Sequence, residues 1–230
     1  MQKAIVITPT IGSNIPALIQ NIKSIRAQTV PVYHLLVVDG FEHYQKIHEA
    51  FAVNEDFNDV GVAMVPFNTG SSGFYGHRIM AAYAHLHDFQ YTLYLDEDNW
   101  YEPEHVESLI ATIEKFNYKF AYSFRNICNK DGAFVCIDEC ESLGLEPSVD
   151  GYHLVDTSSY CFKTEFLVKV SQLWHKGWGA DRAFIDTMLA MESMKGKFGP
   201  SGYHSLYYRL GGNPNSVKED FFLVGNLRKS

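Results

Sequence analysis

The feature that most constrains this fold is a regular alternation of apolar, β-branched runs with segments of helical periodicity through the first half of the chain. Five runs predict strands: Lys3–Thr8, Tyr33–Val38, Val60–Val65, Tyr91–Leu95 and Phe120–Phe124. Apolar residues spaced three and four apart predict four helices between them: Ile15–Ile25, Phe41–Phe51, Phe74–Leu86 and Val106–Ile113. Strands that alternate with helices of this length form βαβ units. The sequence therefore predicts an α/β fold with a mainly parallel sheet flanked by helices.

The second half of the chain is less regular. Residues 126–157 predict loops and short strands. Beyond them, Tyr160–Lys163 and Ser205–Leu210 are strand-like, and Phe166–Leu173 and Asp181–Met194 are helical. Because the 230 residues contain no internal repeat and no obvious linker, we expect one domain spanning residues 1–230.

Net charge and hydropathy limit the classes of partner. A formal charge of −8 argues against nucleic acid, because binding to a phosphate backbone needs a basic face. A phosphate-bearing ligand would need another source of positive charge, and a metal ion is the obvious one. The N-terminal apolar run, Ala4–Ile7, is shorter than the about 7–15 residues of a signal peptide, and no run reaches the ~20 residues of a membrane-spanning helix. These observations predict a cytoplasmic protein, free or peripheral to a membrane.

Polar residues follow the predicted strands at the sheet edge where α/β folds bind ligands. Thr8, Pro9 and Thr10 end the first strand, and Asp39 ends the second. A carboxylate at this edge can accept hydrogen bonds from a base or a ribose, although an Asp-Gly turn without a ligand is also common. We therefore take these four residues as candidates for ligand binding, with Asp39 as a candidate contact to a base or a ribose.

Three consecutive acids, Asp96, Glu97 and Asp98, end the fourth strand. Like charges at the end of a buried strand need a counter-charge, and carboxylate oxygens suit Mg²⁺ or Mn²⁺. Alternate residues of an extended segment face the same side, so we expect Asp96 and Asp98 to face one ligand and Glu97 to face the other side. Glu97 and Asp96 are also candidate contacts to the nucleotide. The alternative is an exposed acidic turn that caps the helix near Pro103.

A glycine-rich loop, Gly70–Gly76, follows the third strand and leads to Arg78. Its backbone amides and hydroxyls, together with one cation, suit a diphosphate. The loop does not match the P-loop pattern, which requires Lys-Ser or Lys-Thr, and the first strand is not followed by the dinucleotide glycine fingerprint. Arg78 is a candidate contact to a diphosphate or carboxylate, with a structural salt bridge as the alternative.

Aromatic and titratable residues recur late in the chain. Trp174 and Trp178 precede Asp181, which suggests an aromatic platform for a sugar beside a general base. The alternative for Asp181 is a helix cap. His204 is a candidate metal ligand or phosphate contact, although in a chain with ten histidines a structural role is the commoner one.

In their order along the chain, these features resemble family 2 glycosyltransferases of the GT-A fold. The matching segments are Ile7-Thr8-Pro9-Thr10, Ser24-Ile25-Arg26-Ala27-Gln28-Thr29, Leu36-Val37-Val38-Asp39-Gly40, Leu95-Asp96-Glu97-Asp98 and Trp178-Gly179-Ala180-Asp181. The resemblance covers most of residues 3–210 and is closest in the first half. It implies a single GT-A domain with a Rossmann-like sheet. Residues 1–125 would bind the nucleotide sugar, and residues 126–230 would carry the acceptor site and the catalytic base.

The resemblance also implies a donor site. The end of the first strand and Asp39 would hold the nucleoside, with UDP as the default nucleotide, and Trp178 would contact the nucleotide sugar. Asp96 and Asp98 would bind Mn²⁺ or Mg²⁺ on the diphosphate, with His204 as a further metal or diphosphate contact.

The same resemblance implies an inverting transfer to an acceptor hydroxyl of a glycan, a lipid-linked compound or another molecule, with Asp181 as general base. Two positions depart from the family pattern. Ala180 stands where the family commonly has Glu before the late Asp, and His77-Arg78 replaces an Arg-Asn pair.

Two rival functions use similar residues. A nucleotidyltransferase would carry a Gly-rich loop with Arg and Lys after the first strand, where this chain has Thr10–Asn14 without a cation. A non-catalytic nucleotide-sugar or carbohydrate-binding protein would need the same acids and aromatics.

Overall fold

The computed structural model describes residues 2–53, 59–211 and 217–229. Over these residues, nine strands form one sheet and seven α-helices flank it. The strands are β1 (Ala4–Thr10), β2 (Val32–Asp39), β3 (Gly61–Val65), β4 (Tyr91–Tyr94), β5 (Trp100–Tyr101), β6 (Phe120–Cys128), β7 (Phe134–Ile137), β8 (Tyr160–Lys163) and β9 (Phe198–Arg209). The helices are α1 (Ile15–Arg26), α2 (Phe41–Ala52), α3 (His77–Tyr83), α4 (His105–Phe116), α5 (Thr164–Val170), α6 (Ala180–Ala190) and α7 (Glu219–Lys229).

The sheet is mixed. Its order is β3-β2-β1-β4-β8-β6-β9-β5, with β7 paired to β6. β1 to β4 are parallel to one another, and β6 is parallel to β9. β8 runs antiparallel to both β4 and β6, and β5 and β7 are also antiparallel to their neighbours. The predicted α/β class is confirmed, but the sheet is not mainly parallel beyond β4.

The change of direction has a cause in the connections. Parallel neighbours need a long crossover, usually a helix, whereas antiparallel neighbours do not. Between β6 and β8 the described chain has no α-helix, only β7 and a 3₁₀ turn at Thr157–Ser159. β8 can therefore return beside β6 in the opposite direction.

The start of α1 shows how the sequence sets a loop of the binding edge. Asn14 caps the helix, because its side-chain oxygen accepts the Ala17 amide at 3.2 Å, and Pro16 lies in the first turn. Leu18 and Ile22 then pack on Leu36 of β2. The cap and this packing fix the end of the β1–α1 loop that leads into the helix.

Aromatic side chains dominate the core on one face of the sheet. Trp174 is completely buried, and its ring stacks on Phe184 with centroids 4.9 Å apart. Tyr160 and Phe162 meet both rings edge to face. The prediction that Trp174 belongs to a sugar platform is therefore wrong, because the side chain fills the core that supports α6.

Three local features differ from the sequence-based expectation. α3 begins only at His77, because Ser72 and Tyr75 of the preceding loop have positive φ angles of 62° and 51°. The two-residue β5 and the helix α7 were not predicted. No helix in the described part of the chain combines the length and apolar character needed to cross a membrane.

Candidate active site

The end of β1 lies at the centre of the edge where the parallel strands finish. Thr8 is completely buried, and its hydroxyl is hydrogen-bonded to Nε2 of His34 at 3.0 Å. Pro9 contacts Gly76 so closely that a β-carbon on Gly76 would lie 2.7 Å from the proline ring. Thr10 donates its hydroxyl to Glu97. The Thr8 hydroxyl is thus used in a hydrogen bond within the protein, and Pro9 and Thr10 contact neighbouring loops.

The carboxylate of Asp39 binds the loop that follows β3 through hydrogen bonds from Thr69 and Gly70. The side chain is only 3% exposed. One oxygen accepts the Thr69 amide at 2.7 Å and the Thr69 hydroxyl at 2.8 Å, and the other accepts the Gly70 amide at 2.7 Å. Gly70 is required here, because a β-carbon would lie 2.1 Å from the carbonyl oxygen of Tyr75. Asp39 therefore joins β2 to the glycine-rich loop at the predicted edge.

Arg78 lies under the same loop. Its guanidinium stacks on the Phe74 ring at 3.4 Å, and one terminal nitrogen approaches the Thr69 carbonyl at 3.4 Å. Its Nε is buried and has no hydrogen-bond partner within the described ranges. The structure shows no salt bridge of Arg78 with any described carboxylate, so the cation remains available to a ligand.

Glu97 faces the loop between β1 and α1. Its carboxylate accepts the amides of Ile11, Gly12 and Ser13 at 3.1, 2.9 and 3.1 Å. It also accepts the hydroxyls of Thr10 and Ser13. Glu97 was a candidate contact to the nucleotide, and the structure instead places its carboxylate on five donors of the protein itself.

Asp96 and Asp98 flank Glu97 in the turn after β4. Burial raises the pKa of Asp96 well above its usual value, and the charges of Asp156 and Asp98 add to the effect. Burial also raises the pKa of Asp98 to about 6, with Glu97 adding to it and Arg209 opposing it. A cation would stabilise two partly buried carboxylates in one turn, and oxygen donors of this kind suit Mn²⁺ or Mg²⁺. The residues therefore fit a divalent cation held by two carboxylates, water and substrate.

Asp181 is the second residue of α6, which Ala180 begins directly after Gly179. One carboxylate oxygen accepts the backbone amide of Arg182 at 2.8 Å. Burial raises the pKa of Asp181 to about 6; the amide of Arg182 opposes this shift and the charge of Asp156 adds to it. The charge of Asp181 in turn raises the pKa of Asp96, so these two carboxylates are electrostatic neighbours.

Trp178 stands at the surface beside this group. The side chain is 70% exposed, and its backbone amide donates to the Gly73 carbonyl at 3.0 Å. The guanidinium of Arg182 lies 5.4 Å from the Trp178 ring and 3.9 Å from the Tyr152 ring. The loop before α6 is therefore tied to the glycine-rich loop, and an exposed aromatic face lies near the candidate base.

His204 does not join Asp96 and Asp98. Across the described ranges, no three His, Cys, Asp or Glu side chains lie close enough to hold a metal ion together. His204 is opposite Phe124 in the register of β6 and β9, and the carboxylates that affect its pKa are Glu139 and Asp138. The structure therefore does not group His204 with Asp96 and Asp98, and its role as a further metal ligand stays a prediction.

A buried ionic cluster behind the site was missed by the sequence analysis. Arg125 of β6 is 2% exposed and donates to Asp138 at 2.8 Å, to Asp156 at 2.9 Å and to Glu141 at 2.5 Å. Asp138 also accepts the amides of residues 140–142 and so shapes the loop after β7. The available signal was a single cation inside an otherwise apolar strand, followed by acids in an irregular segment.

The ionic cluster connects to the turn after β4 through one serine. The second oxygen of Asp156 accepts the Ser158 amide at 2.9 Å. The Ser158 hydroxyl oxygen accepts the Asp96 amide at 3.1 Å and the Asn99 side-chain amide at 3.3 Å. Arg125 therefore fixes, through Asp156 and Ser158, the backbone that carries Asp96.

Comparisons with known proteins agree with this architecture. The family model described as glycosyl transferase family 2 matches residues 5–137, more than half of the chain. A crystal structure of S. aureus TarS 1–349 in complex with UDP-GlcNAc has a TM-score of 0.64 at 18% identity and covers 97% of this chain and 64% of that one. The complex with UDP has a TM-score of 0.61 at 15% identity, with 92% and 61% covered. No curated protein sequence matches the chain.

These likenesses concern the fold. The predicted GT-A-type α/β fold is confirmed, with a mixed sheet. The chain spans less than two thirds of the TarS chains that it matches.

Proposed function

Because the chain belongs to glycosyl transferase family 2, we propose that it transfers a sugar from a nucleotide diphosphate donor to an acceptor hydroxyl. The observation that supports this proposal is the pair of partly buried acids, Asp96 and Asp98, in the turn after β4, at the edge of the sheet where such folds bind ligands. Burial raises the pKa values of both, and that of Asp181 as well. A UDP-sugar is the proposed donor, since TarS of the same fold has been crystallised with UDP and with UDP-GlcNAc. The proposed acceptor is a glycan, a lipid-linked compound or another hydroxyl compound.

The nucleoside is proposed to bind at the ends of β1 and β2. An ionised carboxylate offers about four acceptor positions, and the loop uses three of those of Asp39. The remaining one can accept a donor of the base or the ribose. Pro9 and the backbone of Thr10 form the adjacent surface, while the buried Thr8 contributes through its backbone.

The diphosphate is proposed to lie between the turn after β4 and the glycine-rich loop. Asp96 and Asp98 would hold Mn²⁺ or Mg²⁺ there, and such a cation offsets the negative charge of a diphosphate leaving group. The guanidinium of Arg78, which forms no salt bridge with a described carboxylate, is a second group that can approach a phosphate oxygen. This arrangement accounts for phosphate binding by a chain whose net charge is −8.

Asp181 is proposed as the general base of an inverting transfer. A carboxyl with a pKa of about 6 is ionised at neutral pH and accepts a proton more readily than an ordinary aspartate. Its second oxygen is free of the Arg182 amide and can take the proton of the acceptor hydroxyl as that oxygen attacks the sugar. Trp178 offers an exposed aromatic face for the sugar ring beside it.

The test separates turnover from binding. Asp181→Asn keeps the shape and the oxygen that accepts the Arg182 amide but removes the base. We expect transfer to fall by about 10²–10⁴-fold while calorimetric UDP affinity stays unchanged. Asp186→Asn, at an exposed position of the same helix, is the matched control and should retain full activity.

Transfer by Asp181→Asn at the rate of the control would contradict the assignment of the base. A wild-type protein that binds nucleotide sugars but never cleaves them would instead support a non-catalytic binding protein.

A further inference from the structure

A cavity of about 410 Å³ lies in the second half of the chain, apart from the turn of Asp96 and Asp98. Small-molecule sites typically measure about 300–1,000 Å³. β6 and β9 form one wall with Phe124 and His204, and the loop after β7 forms another with Glu139, Leu143 and Glu146. Its size is thus that of a ligand site, and it contains the histidine that does not reach the metal turn.

The walls combine aromatic faces with free polar groups. The Phe124 and His204 ring centroids lie 5.2 Å apart with the ring planes tilted by 35°. The His204 ring nitrogens and the Glu139 carboxylate make no hydrogen bond to other described residues, whereas Glu146 is paired with Lys229 at 3.5 Å. One imidazole and one carboxylate are therefore available to a ligand next to an apolar surface.

The same loop also reaches the candidate base. Glu141, between Glu139 and Leu143, accepts the Tyr152 hydroxyl at 2.8 Å and lies 3.8 Å from Arg182, the residue after Asp181. Arg125 holds Glu141 from the core side. A molecule seated in the cavity would thus lie against the loop that is anchored beside Asp181.

We propose that this cavity is a carbohydrate subsite that holds a sugar unit of the acceptor. The apolar face of a sugar ring would lie on Phe124 and His204, while its hydroxyls would donate to Glu139 and bond to the imidazole. Excess carboxylates disfavour a phosphate in this place. The proposal rests on the proposed glycosyl transfer, because it names the class of acceptor.

The experiment measures sugar binding and transfer separately. Methyl glycosides and free alditols are titrated into the ¹⁵N- and ¹³C-labelled full chain, and the ring signal of His204, assigned with His204→Ala, is followed by NMR. We expect one class of glycoside to shift this signal, and Leu143→Trp, which fills the cavity, to abolish the shift. In the transfer assay, Glu139→Gln should raise the acceptor KM about tenfold or more, with the donor KM and the hydrolysis of donor by water unchanged.

The matched control is Glu192→Gln, because Glu192 is a highly exposed acid on another surface. Its acceptor KM should equal that of the wild type. If Leu143→Trp, correctly folded, keeps the wild-type acceptor KM, the subsite is refuted, and so it is if no glycoside or alditol moves the His204 signal. A protein that fails to bind any nucleotide while glycosides still shift this signal would overturn the proposed function and leave the carbohydrate site standing.

Discussion

Replacement of Arg125 by Met tests whether the buried ionic cluster organises the second half of the chain. Methionine keeps much of the apolar stem but removes the charge, together with the guanidinium that lies over the rings of Tyr208 and Phe222. The guanidinium now donates to three carboxylates, at distances between 2.5 and 2.9 Å. Without it, three acids that are almost inaccessible to water lose their counter-charge.

The magnitude follows from that burial. Removal of one partner of a buried ion pair costs about 3–5 kcal/mol, because the remaining charge is left uncompensated. We therefore expect Arg125→Met to lower the free energy of unfolding by about 3–5 kcal/mol, a large part of the ~5–15 kcal/mol of an ordinary domain. Arg125→Lys keeps the charge but cannot reproduce the fork of donors, so a smaller loss of about 1.5–3 kcal/mol is expected.

The pH dependence distinguishes this mechanism from a simple packing defect. In the wild type, burial acts to raise the pKa of Asp138, but Arg125 and three backbone amides more than offset it, so the pKa is lowered. The stabilisation from ionised Asp138 is therefore fully present above the pKa that this residue has in the unfolded chain. It is lost as the pH falls through the lower pKa of Asp138 in the folded protein. In Arg125→Met we expect burial without a cation to raise the folded pKa values of the acids, so that, relative to the wild type, the variant recovers stability as the pH falls from 7 to 5.

Urea unfolding of both proteins, followed by tryptophan fluorescence between pH 5 and 7, measures the difference. It should be largest at pH 7 and should shrink towards pH 5. A loss below 1 kcal/mol at pH 7, or a difference that does not depend on pH, would refute this reasoning.

Three further outcomes follow from single contacts. Glu97→Ala leaves five loop donors without their acceptor. The free energy of unfolding should therefore fall by about 1–2 kcal/mol, and the affinity for UDP should drop. Unchanged urea unfolding curves and an unchanged calorimetric affinity would contradict this prediction. Burial lowers the pKa values of His34 and His105 to about 3 in the folded protein. Between pH 6.5 and 3 the unfolded state therefore binds more protons than the folded state. The free energy of unfolding should fall over this range by about 1.4 kcal/mol per pH unit for each histidine. His34→Gln should make that slope shallower in urea titrations, and an unchanged slope would show the assignment to be mistaken. Asp39→Asn should weaken nucleotide binding about tenfold by calorimetry, since a charged acceptor beside Thr69 becomes neutral; equal affinity would contradict a nucleoside site there.

The binding edge could be predicted from the sequence because it depends on local rules. Strand-helix alternation places strand ends at one edge, and Asp39 and Asp96 lie at that edge in the structure. The sequence analysis expected Glu97 to face away from Asp96 and Asp98; its carboxylate binds the β1–α1 loop, although residues 97–98 form a turn rather than extended chain. Its partners could not be predicted, since those donors lie more than eighty residues earlier in the chain.

The second half could not be predicted because its contacts are long-range. Arg125 forms ion pairs with three acids that come from an irregular segment of the chain. These acids reach the same cation only in the folded protein. His204 was predicted to be a metal ligand because it follows Asp181 in the sequence. Its position in the structure depends instead on the pairing of β9 with β6. Trp174 and Trp178 are close in sequence, but one is fully buried and the other is largely exposed.

Isothermal titration of UDP, GDP and CDP into the folded protein, with and without Mn²⁺, tests the central claim most directly. The account predicts that UDP binds, that Mn²⁺ strengthens this binding at least about tenfold, and that Asp98→Asn removes the metal effect. Asp131→Asn, at an exposed turn, is the control and should bind as the wild type does. If the folded wild type binds none of the three nucleotides in the presence of Mn²⁺, the acids after β4 are a surface turn and the donor site does not exist.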